Sequence, residues 1–423
     1  MADVTTSLIA SARPALDEGL LRALAASLGE DAAAVQRRLA ALARYEAADE
    51  PDRVRHLWRF TNPAALLPAT IGTAAAGGAP ARAPRPGDAA AVIDLWPGMA
   101  PVLETAPGLP EGTIMLAAGA DAGAQPATDL FGALNEAAWN AGATVKVAAG
   151  ARLAGPIHVR VHAAGPAALP RLSVEVGAGA EASIVEQHVG GGPDVRVAGR
   201  TFVAAGAGAR VRHALVQVWE AGTCGHLAVE TAAAADADVL TVCGVFGGDD
   251  TKLEVEAVLA GAGARSEIIG VALVAGKQHA DVHTCHRHAA AHTASRIDYK
   301  AVAGQQARST YTGLIRIDDE AHHCEAYQEN RNLLLSSRAR ADAIPELEIH
   351  NQEVSCSHGA TIAPVDEEQL FYLESRCLDP REALGLVVGG FLENTLARLP
   401  DDARAMVESF VGPRLATIRE GTA

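Results

Sequence analysis

A repeat of about 28 residues constrains the fold of this chain more than any other feature of its sequence. In the middle of the chain, an alanine followed by a charged residue returns at intervals of 29, 29, 28 and 27 residues. Short alternating runs between these turns, such as 157–161 and 253–258, predict strands. Each coil of such a repeat buries its apolar face only against its neighbours, so the pattern predicts a stacked β-solenoid. The turns are Ala151-Arg152, Ala180-Glu181, Ala209-Arg210, Ala237-Asp238 and Ala264-Arg265.

Other repeat folds fit this spacing less well. Propeller blades need longer repeats of four strands, and leucine-rich repeats need a Leu/Asn consensus that is absent. An aromatic content of 4% agrees with a narrow core of small and branched aliphatic residues. On periodicity alone, a β-sandwich stays open as an alternative. The repeat becomes indistinct after Gly276, although strand-like runs continue to 333–335.

Both ends of the chain have helical periodicity. Apolar residues at helical spacing over 16–28 and 35–42 predict two packed helices, with Asp31 as the N-cap of the second. The Ala-, Gly- and Pro-rich stretch 74–88 predicts an exposed linker, and helical spacing returns from Asp366. The predicted organisation is mainly β, with an N-terminal helical domain over 1–90, a β-helix core over 91–360 and a C-terminal helical domain over 361–423.

Charge and composition argue against several classes of function. A net charge of -16 with only four lysines disfavours a nucleic-acid or anionic-membrane surface, because such a surface needs clustered basic residues. No long apolar run or signal-peptide pattern is present, which predicts a soluble cytoplasmic protein without a membrane segment. The six cysteines form no CxxC pair, so reduced thiols are expected. The chain also lacks a GxxxxGKS/T phosphate loop, HExxH and GxSxG, so we expect no ATP site in it.

Two clusters of His and Cys residues stand among the predicted strands. A metal needs convergent ligands, but on an extended chain the first cluster divides between two opposite faces. We therefore predict structural or surface roles for it, with a metal site around Cys285 as the alternative. One face would carry His279, His283 and Cys285, and the other His286, His288 and His292. The second cluster, His322, His323 and Cys324, is predicted to consist of solvated loop or strand residues.

A more promising pair lies in the stretch 345–391. Leu347 and Ile349 alternate with polar residues as in a half-buried strand, and an extended chain then places Cys356 and His358 on one face. Thiolate and imidazole are both ligands of iron–sulfur clusters. Since the usual cluster has four ligands, any cluster here must be nascent or shared with a second subunit. The structural alternative is a buried cysteine and a hydrogen-bonded histidine in the last coil.

The motifs around this pair resemble a known family. The C-terminal signature of the SufB/SufD family of iron–sulfur cluster assembly proteins is similar to AYQENRNLLLSSRARADAIPELEI, CSHGAT, DEEQLFYLESR and the apolar helix ending in GGF. Near the N-terminus, HLWRFT at 56–61 resembles the WRYT-type segment of SufD. Ala339 stands where SufB carries a cysteine, and SHGAT replaces an EHEAT-like motif, so the chain is most similar to SufD. The resemblance implies a right-handed parallel β-helix with helical domains at both ends.

The resemblance also implies a function. It suggests a noncatalytic scaffold in the SUF complex that pairs with a SufB-like subunit and docks a SufC-like ABC-type ATPase through its C-terminal helices. His358 and Cys356 would then help to hold a nascent cluster at the shared interface, and the complex would bind FAD. A homodimer and a purely structural adaptor stay open as alternatives. A carbohydrate-active solenoid enzyme would need paired carboxylates and aromatic platforms, which the sequence does not repeat.

One residue departs from the family pattern. Cys377 follows Ser375-Arg376 at a position where the family usually has glycine. Glycine at the end of a helix tolerates positive φ far better than cysteine does. We therefore expect the helix before Cys377 to end in a different way here. A ligand role for the added thiol stays open as an alternative.

Overall fold

The computed structural model describes residues 13–54, 56–73, 84–118 and 126–420. Most of the predicted linker, residues 74–83, lies outside these ranges. The helices are α1 Glu18–Ser27, α2 Ala32–Ala47, α3 Pro63–Leu66, α4 Leu130–Ala138, α5 Glu367–Ser375, α6 Pro380–Leu396 and α7 Asp401–Glu420, with a short 3-10 turn at His56–Trp58. The strands are β1 Ala91–Leu95, β2 Val102–Thr105, β3 Ile114–Ala118, β4 Ala141–Val147, β5 Ile157–Ala163, β6 Ala167–Ala168, β7 Pro170–Val176, β8 Glu181–Gly190, β9 Arg196–Ala205, β10 Arg210–Gln217, β11 Cys224–Ala233, β12 Asp238–Val245, β13 Asp250–Leu259, β14 Arg265–Val274, β15 His279–His288, β16 Ala294–Ala303, β17 Arg308–Ile317, β18 Cys324–Leu334, β19 Arg340–Ile349 and β20 Val354–Pro364.

The strands form two sheets that share one core. Sheet A has the order β2-β1-β5-β8-β10-β12-β14-β16-β18-β20, and sheet B has the order β19-β17-β15-β13-β11-β9-β7-β4-β3. From β7 onward the chain alternates between the sheets, and neighbouring strands pair in parallel. The described residues thus form a β-solenoid of about eight turns with helices at both ends, as the sequence predicts. Parallel pairing throughout the coils excludes a β-sandwich, which needs antiparallel sheets.

The alanine-plus-charge turns stack into one corner of the solenoid. Their charged residues are register partners, so Arg210 lies between Glu181 and Asp238 on neighbouring strands. A residue with positive φ precedes each buried alanine, for example Gly179 with φ 66° and Gly208 with φ 64°. The alanines fill the inside of the corner, since Ala180, Ala209, Ala237 and Ala264 are buried. The small residues of the repeat are therefore required by the corner.

The repeat continues beyond Gly276, where the sequence analysis expected it to become indistinct. His292 and His323 take the positive-φ corner position, with φ values of 58° and 56°. Thr293 and Cys324 follow them and are buried at the position of the corner alanines. The two imidazole rings stack with centroids 5.1 Å apart. Substitution of the consensus residues, not a change of structure, obscures the repeat here.

The N-terminal helices are attached to the outer face of sheet B. Asp31 caps α2 as predicted, because its side chain accepts a hydrogen bond from the Ala34 amide at 2.8 Å. Trp58 of the HLWRFT segment stacks on Phe131 of α4, with ring centroids 5.0 Å apart. Lys252 of β13 donates to the backbone carbonyl of Leu57 at 2.6 Å. Sequence reasoning missed α4, which interrupts the strands and packs with α1 and α2.

The C-terminal helices are attached to sheet A. Leu392 of α6 and Val407 of α7 pack on a buried cluster that includes Leu240 and Val271. Lys300 Nζ donates to the backbone carbonyl at position 391 at 2.5 Å. By contrast, α5 contains no buried residue. Within the described ranges, no helix is long and apolar enough to cross a membrane.

Candidate functional site

The last coil of the solenoid leaves its inner side uncovered. Among the described strands, β19 pairs only with β17 and β20 only with β18, so each forms one edge of its sheet. Along β17, Ile315 and Ile317 face the lumen and are fully buried. Their register partners on β19, Leu347 and Ile349, are 36% and 42% exposed. The described residues therefore end in an apolar open end, which also includes Ile362 of β20 at 45% exposure.

Cys356 and His358 lie on β20 at this open end. They are register partners of Ala326 and Gln328, which are buried in the lumen. Because alternate residues of a strand share a face, both side chains project from the face of β20 that is turned toward the lumen. Cys356 is half-buried and His358 is exposed. The extended run that we predicted is broken, since a corner at 350–353 separates these residues from β19.

The thiol and the imidazole have different surroundings. Cys356 packs against a buried cluster that includes Ile315 and Ala326. Burial raises the pKa of the Cys356 thiol, and nearby Cys324 adds to this effect. Metal binding at Cys356 must therefore displace a proton. His358 has no hydrogen-bond partner in the described part of the chain, so its ring is free to meet a second molecule.

The number of metal-ligand residues at the open end is small. Among the described residues, no group of three or more His, Cys, Asp or Glu side chains is arranged to hold a metal ion. Cys356 and His358 together can supply two ligands, whereas an iron–sulfur cluster usually takes four. Any cluster bound at this end needs additional ligands from outside the described chain.

The first His/Cys cluster divides between two faces of β15, as its spacing predicts, except for His292, where the prediction is wrong because this residue lies beyond β15 at an exposed positive-φ corner. His286 and His288 are fully buried in the lumen, where they contact hydroxyl groups of Ser266 and Ser295 at 2.9 and 2.8 Å. Burial and the neighbouring His288 lower the pKa of His286 to about 3. On the outer side, burial raises the pKa of Cys285 to about 12, with Glu256 adding to the effect. Both sets make ordinary structural contacts.

The second cluster was predicted to be solvated, and for Cys324 this is wrong. His322 and His323 are exposed, but only 1% of Cys324 is exposed. Its Sγ lies 3.1 Å from Thr293 Oγ1 inside the corner. The corner needs a small residue at this position, and cysteine serves there as a small hydrophobe.

The expectation for Cys377 is also wrong. Cys377 has φ 65°, and its amide donates to the Glu374 carbonyl at 2.9 Å while the Leu378 amide reaches the Leu373 carbonyl at 3.4 Å. The end of α5 therefore has the left-handed geometry that glycine favours, although the residue is cysteine. The backbone geometry of this helix end is set by its hydrogen bonds and is kept despite the side chain.

Sequence reasoning missed two features near the site. One is an exposed apolar patch on α5 and α6, formed by Phe371, Tyr372 and Leu386 at 73%, 57% and 56% exposure. The sequence predicts helical spacing from Asp366 onward, and only the structure reveals that these three side chains are uncovered. The other is Gln328 beneath His358, which the parity of the AYQEN motif could have indicated.

Comparisons with known proteins agree with this fold. Residues 159–391 match the family model described as SUF system FeS cluster assembly, SufBD core domain. An iron–sulfur cluster assembly SufBD family protein of Mycobacterium tuberculosis is 33% identical over 192 residues, which cover 45% of this chain and 23% of that protein. SufB of Bacillus subtilis is 28% identical over 282 residues, covering 65% and 60%, and SufD of Escherichia coli is 27% identical over 248 residues, covering 58% of each.

The fold and the family match define a β-solenoid protein of the SUF iron–sulfur system. The chain belongs to the SufB/SufD family, because the family model covers more than half of its length. The alignments span less than a quarter of the mycobacterial relative and about 60% of the other two.

Proposed function

We propose that this chain is the SufD-like scaffold subunit of a SUF complex, on which a nascent iron–sulfur cluster assembles. The observation that carries the proposal is the open end of the solenoid, which presents Cys356 and His358 among exposed apolar side chains. The chain supplies two ligands, and a SufB-like partner supplies the others. The cluster is cargo that passes through the interface, and the chain itself has no catalytic role.

The open end suits a partner solenoid. Strands at the edge of a sheet carry unpaired backbone groups that can pair with another chain. Leu347, Ile349 and Ile362 give this end an apolar surface, which association would remove from water. A partner that continues the coils would cover both the apolar side chains and the Cys/His pair. Exclusion of water from the site would then protect bound sulfide and iron.

The patch of Phe371, Tyr372 and Leu386 is the proposed docking surface for a SufC-like ATPase. It lies on α5 and α6, outside the packed part of the C-terminal helices. Only Val365 and Asp366 separate the end of β20 from the start of α5. A movement of α5 driven by the ATPase would therefore reach the strand that carries Cys356 and His358. This short connection supports a mechanical link between nucleotide state and access to the ligands.

Anaerobic reconstitution with iron and sulfide tests the proposal. The chain is reconstituted alone and with SufB-like and SufC-like partners, as wild type and as the variants His358→Ala, Cys356→Ser and His350→Ala. His350 is an exposed histidine of the same coil and serves as the matched control. We expect visible cluster absorption only with the partners, a strong loss with His358→Ala, and no change with His350→Ala.

Other results would favour the alternatives. Unchanged cluster absorption in both His358→Ala and Cys356→Ser would mean that the chain is a structural adaptor without cluster ligands. A full cluster on the isolated chain, together with a dimer in sedimentation, would identify a homodimeric scaffold. If cluster formation requires a SufB-like partner, the chain has the SufD-like role. If it does not, the chain itself has the SufB-like role.

A further inference from the structure

Gln328 lies directly beneath His358 in the lumen of the solenoid. The two residues are register partners on β18 and β20, so their backbones are about 4.8 Å apart. Both side chains project from the same side of sheet A. Gln328 is completely buried, whereas His358 belongs to the uncovered last coil. Gln328 is therefore the first polar group that the inner side of the His358 ring can meet.

The structure fixes the position of the Gln328 amide. Its Nε2 donates to the Gly313 carbonyl at 3.1 Å, so the side chain crosses the lumen from sheet A to sheet B. Gly313 provides the space for this crossing. A Cβ at position 313 would lie 2.4 Å from Gln328 Nε2 and 2.4 Å from the Tyr311 hydroxyl oxygen. The amide is thus held between two strands, and one of its two N–H groups donates to the Gly313 carbonyl.

The acceptor end of the same amide is unused. Gln328 Oε1 is buried and has no hydrogen-bond partner among the residues that the structure describes. A buried acceptor without a hydrogen-bond partner destabilises the folded chain, so a hydrogen bond from any donor that reaches it is favourable. A histidine that binds a metal through one ring nitrogen normally donates the N–H of the other nitrogen to such an acceptor. His358, the register partner of Gln328 on β20, carries a ring N–H of this kind.

We infer that Gln328 is a positioning residue for His358: its Oε1 accepts the inner ring N–H and leaves the outer nitrogen deprotonated and directed at the open end. The inference rests on the proposed function for its purpose. Among the described residues neither Gln328 Oε1 nor the His358 ring has a hydrogen-bond partner, so the contact requires the exposed His358 ring to turn toward the lumen, and it needs no cluster to form. Gln328 sets the tautomer and orientation of the ring and does not touch the cargo.

The tautomer of His358 provides a test that does not depend on cluster assembly. Selective labelling of histidines with nitrogen-15 reports which ring nitrogen carries the proton, and His358→Ala identifies the signals. In wild type we expect one tautomer of His358 to dominate. Gln328→Met keeps the length of the side chain but removes the acceptor, and it should change the tautomer ratio about fivefold. Gly313→Ala should displace the amide and change the ratio in the same direction.

A matched control separates this effect from damage to the lumen. Asn330 is equally buried on the same strand and faces the lumen, but its register partner is Ala360. Asn330→Leu removes a buried amide at a similar cost in folding stability, and it should leave the His358 tautomer unchanged. Equal tautomer ratios in wild type and Gln328→Met would overturn the inference, and so would an equal change in Asn330→Leu.

Cluster retention gives a second readout in the assembled complex. Loss of a residue that orients a metal ligand typically weakens metal binding 10- to 100-fold. We expect chelator-driven loss of the cluster to be about tenfold faster in Gln328→Met than in Asn330→Leu. If His358→Ala has no effect on the cluster, the proposed function fails, while the tautomer measurement still decides the Gln328 contact. If the tautomer changes but retention in Gln328→Met equals that of the control, Gln328 does not position a ligand and the inference is overturned.

Discussion

Among single residues, Cys377 has a backbone conformation that its side chain disfavours. Its φ of 65° lies in the left-handed region, where a residue with a Cβ is less stable than glycine by about 1 kcal/mol. Its side chain is exposed, so removal of the thiol eliminates few packing contacts. We expect Cys377→Gly to raise the free energy of unfolding by about 1 kcal/mol in urea titrations. Cys377→Ala is the control and should bring no gain, because it removes the thiol but keeps the Cβ.

The buried His286 makes stability depend on pH. Its folded-state pKa of about 3 is below the ordinary value of about 6.5, so between these values the unfolded chain binds the additional proton. The contribution of this pKa shift to the free energy of unfolding is complete above a pH of about 6.5 and is lost as the pH falls. In His286→Gln, the slope of unfolding free energy against pH between about 4 and 6 should decrease by about 1.4 kcal/mol per pH unit. An equal decrease in the exposed control His350→Gln would contradict this assignment.

Single residues also mark the limit of sequence reasoning. Parity along a strand correctly separated His286 from Cys285, because alternation follows directly from strand geometry. Parity did not reveal that His292 and His323 are corner residues, since their positive φ comes from stacking on the glycine corners of earlier coils. Cys324 was placed in solvent for the same reason. Contacts between coils decide these positions, and one sequence does not display them.

At the scale of elements, the HLWRFT segment attaches the N-terminal helices to the solenoid through a buried charge. Lys252 is completely buried between the Leu57 carbonyl, at 2.6 Å, and Asp281 Oδ2, at 3.4 Å. Burial alone would raise the pKa of Asp281, but the hydrogen bond from His283 and the charge of Lys252 hold it below its usual value. The segment is therefore fixed by a set of polar contacts as well as by the stacking of Trp58.

Removal of Lys252 should loosen this element. Lys252→Met leaves a buried carboxylate without its cation, which destabilises a protein by about 3 kcal/mol or more. We expect a lower urea midpoint and faster hydrogen exchange at His56–Trp58, with little change in β17 and β18. The double variant Lys252→Met/Asp281→Asn should recover a large part of the loss, because no uncompensated charge remains. A double variant as unstable as the single one would mean that the lysine acts through packing alone.

The elements were predictable where the pattern was regular. The helices at both ends and most strands followed from periodicity and caps, as Asp31 illustrates. α4 was missed because Leu130–Ala138 is short and almost completely buried. A short apolar run without a polar face does not distinguish a helix from a strand. Its packing against α1 and α2 selects the helix.

For the whole molecule, the two exposed apolar surfaces lie at separate places, and we propose a separate partner for each. The open end combines Leu347, Ile349 and Ile362 with the Cys/His pair, and the helical patch combines Phe371, Tyr372 and Leu386. The solenoid could be predicted from its 28-residue repeat. The uncovered state of these surfaces could not, because a sequence does not reveal which apolar face lacks a neighbour in the folded chain.

Paired variants should separate the two partners. Leu347→Asp/Ile362→Asp places charges in the open end, and Phe371→Asp/Leu386→Asp places them in the helical patch. A central apolar contact in an interface typically contributes about 2 kcal/mol or more to binding. Each pair of substitutions should therefore lower the affinity for its own partner by about 30-fold or more in calorimetric titrations. The open-end pair should weaken binding of the SufB-like subunit and leave binding of the ATPase unchanged, and the helical-patch pair should do the reverse.

Each pair of variants is the control for the other, since both introduce two aspartates on exposed apolar positions of the same chain. The helical-patch pair should leave the unfolding midpoint close to wild type, because Phe371 and Leu386 are 73% and 56% exposed. The open-end pair should lower it modestly, because Leu347 and Ile362 are only 36% and 45% exposed. Loss of both partners in either pair would mean that the two surfaces act as one interface, and the short connection between β20 and α5 would then be part of it. If the isolated chain self-associates and only the open-end pair makes it monomeric, the same end joins two copies of this chain, and the missing cluster ligands come from the second copy.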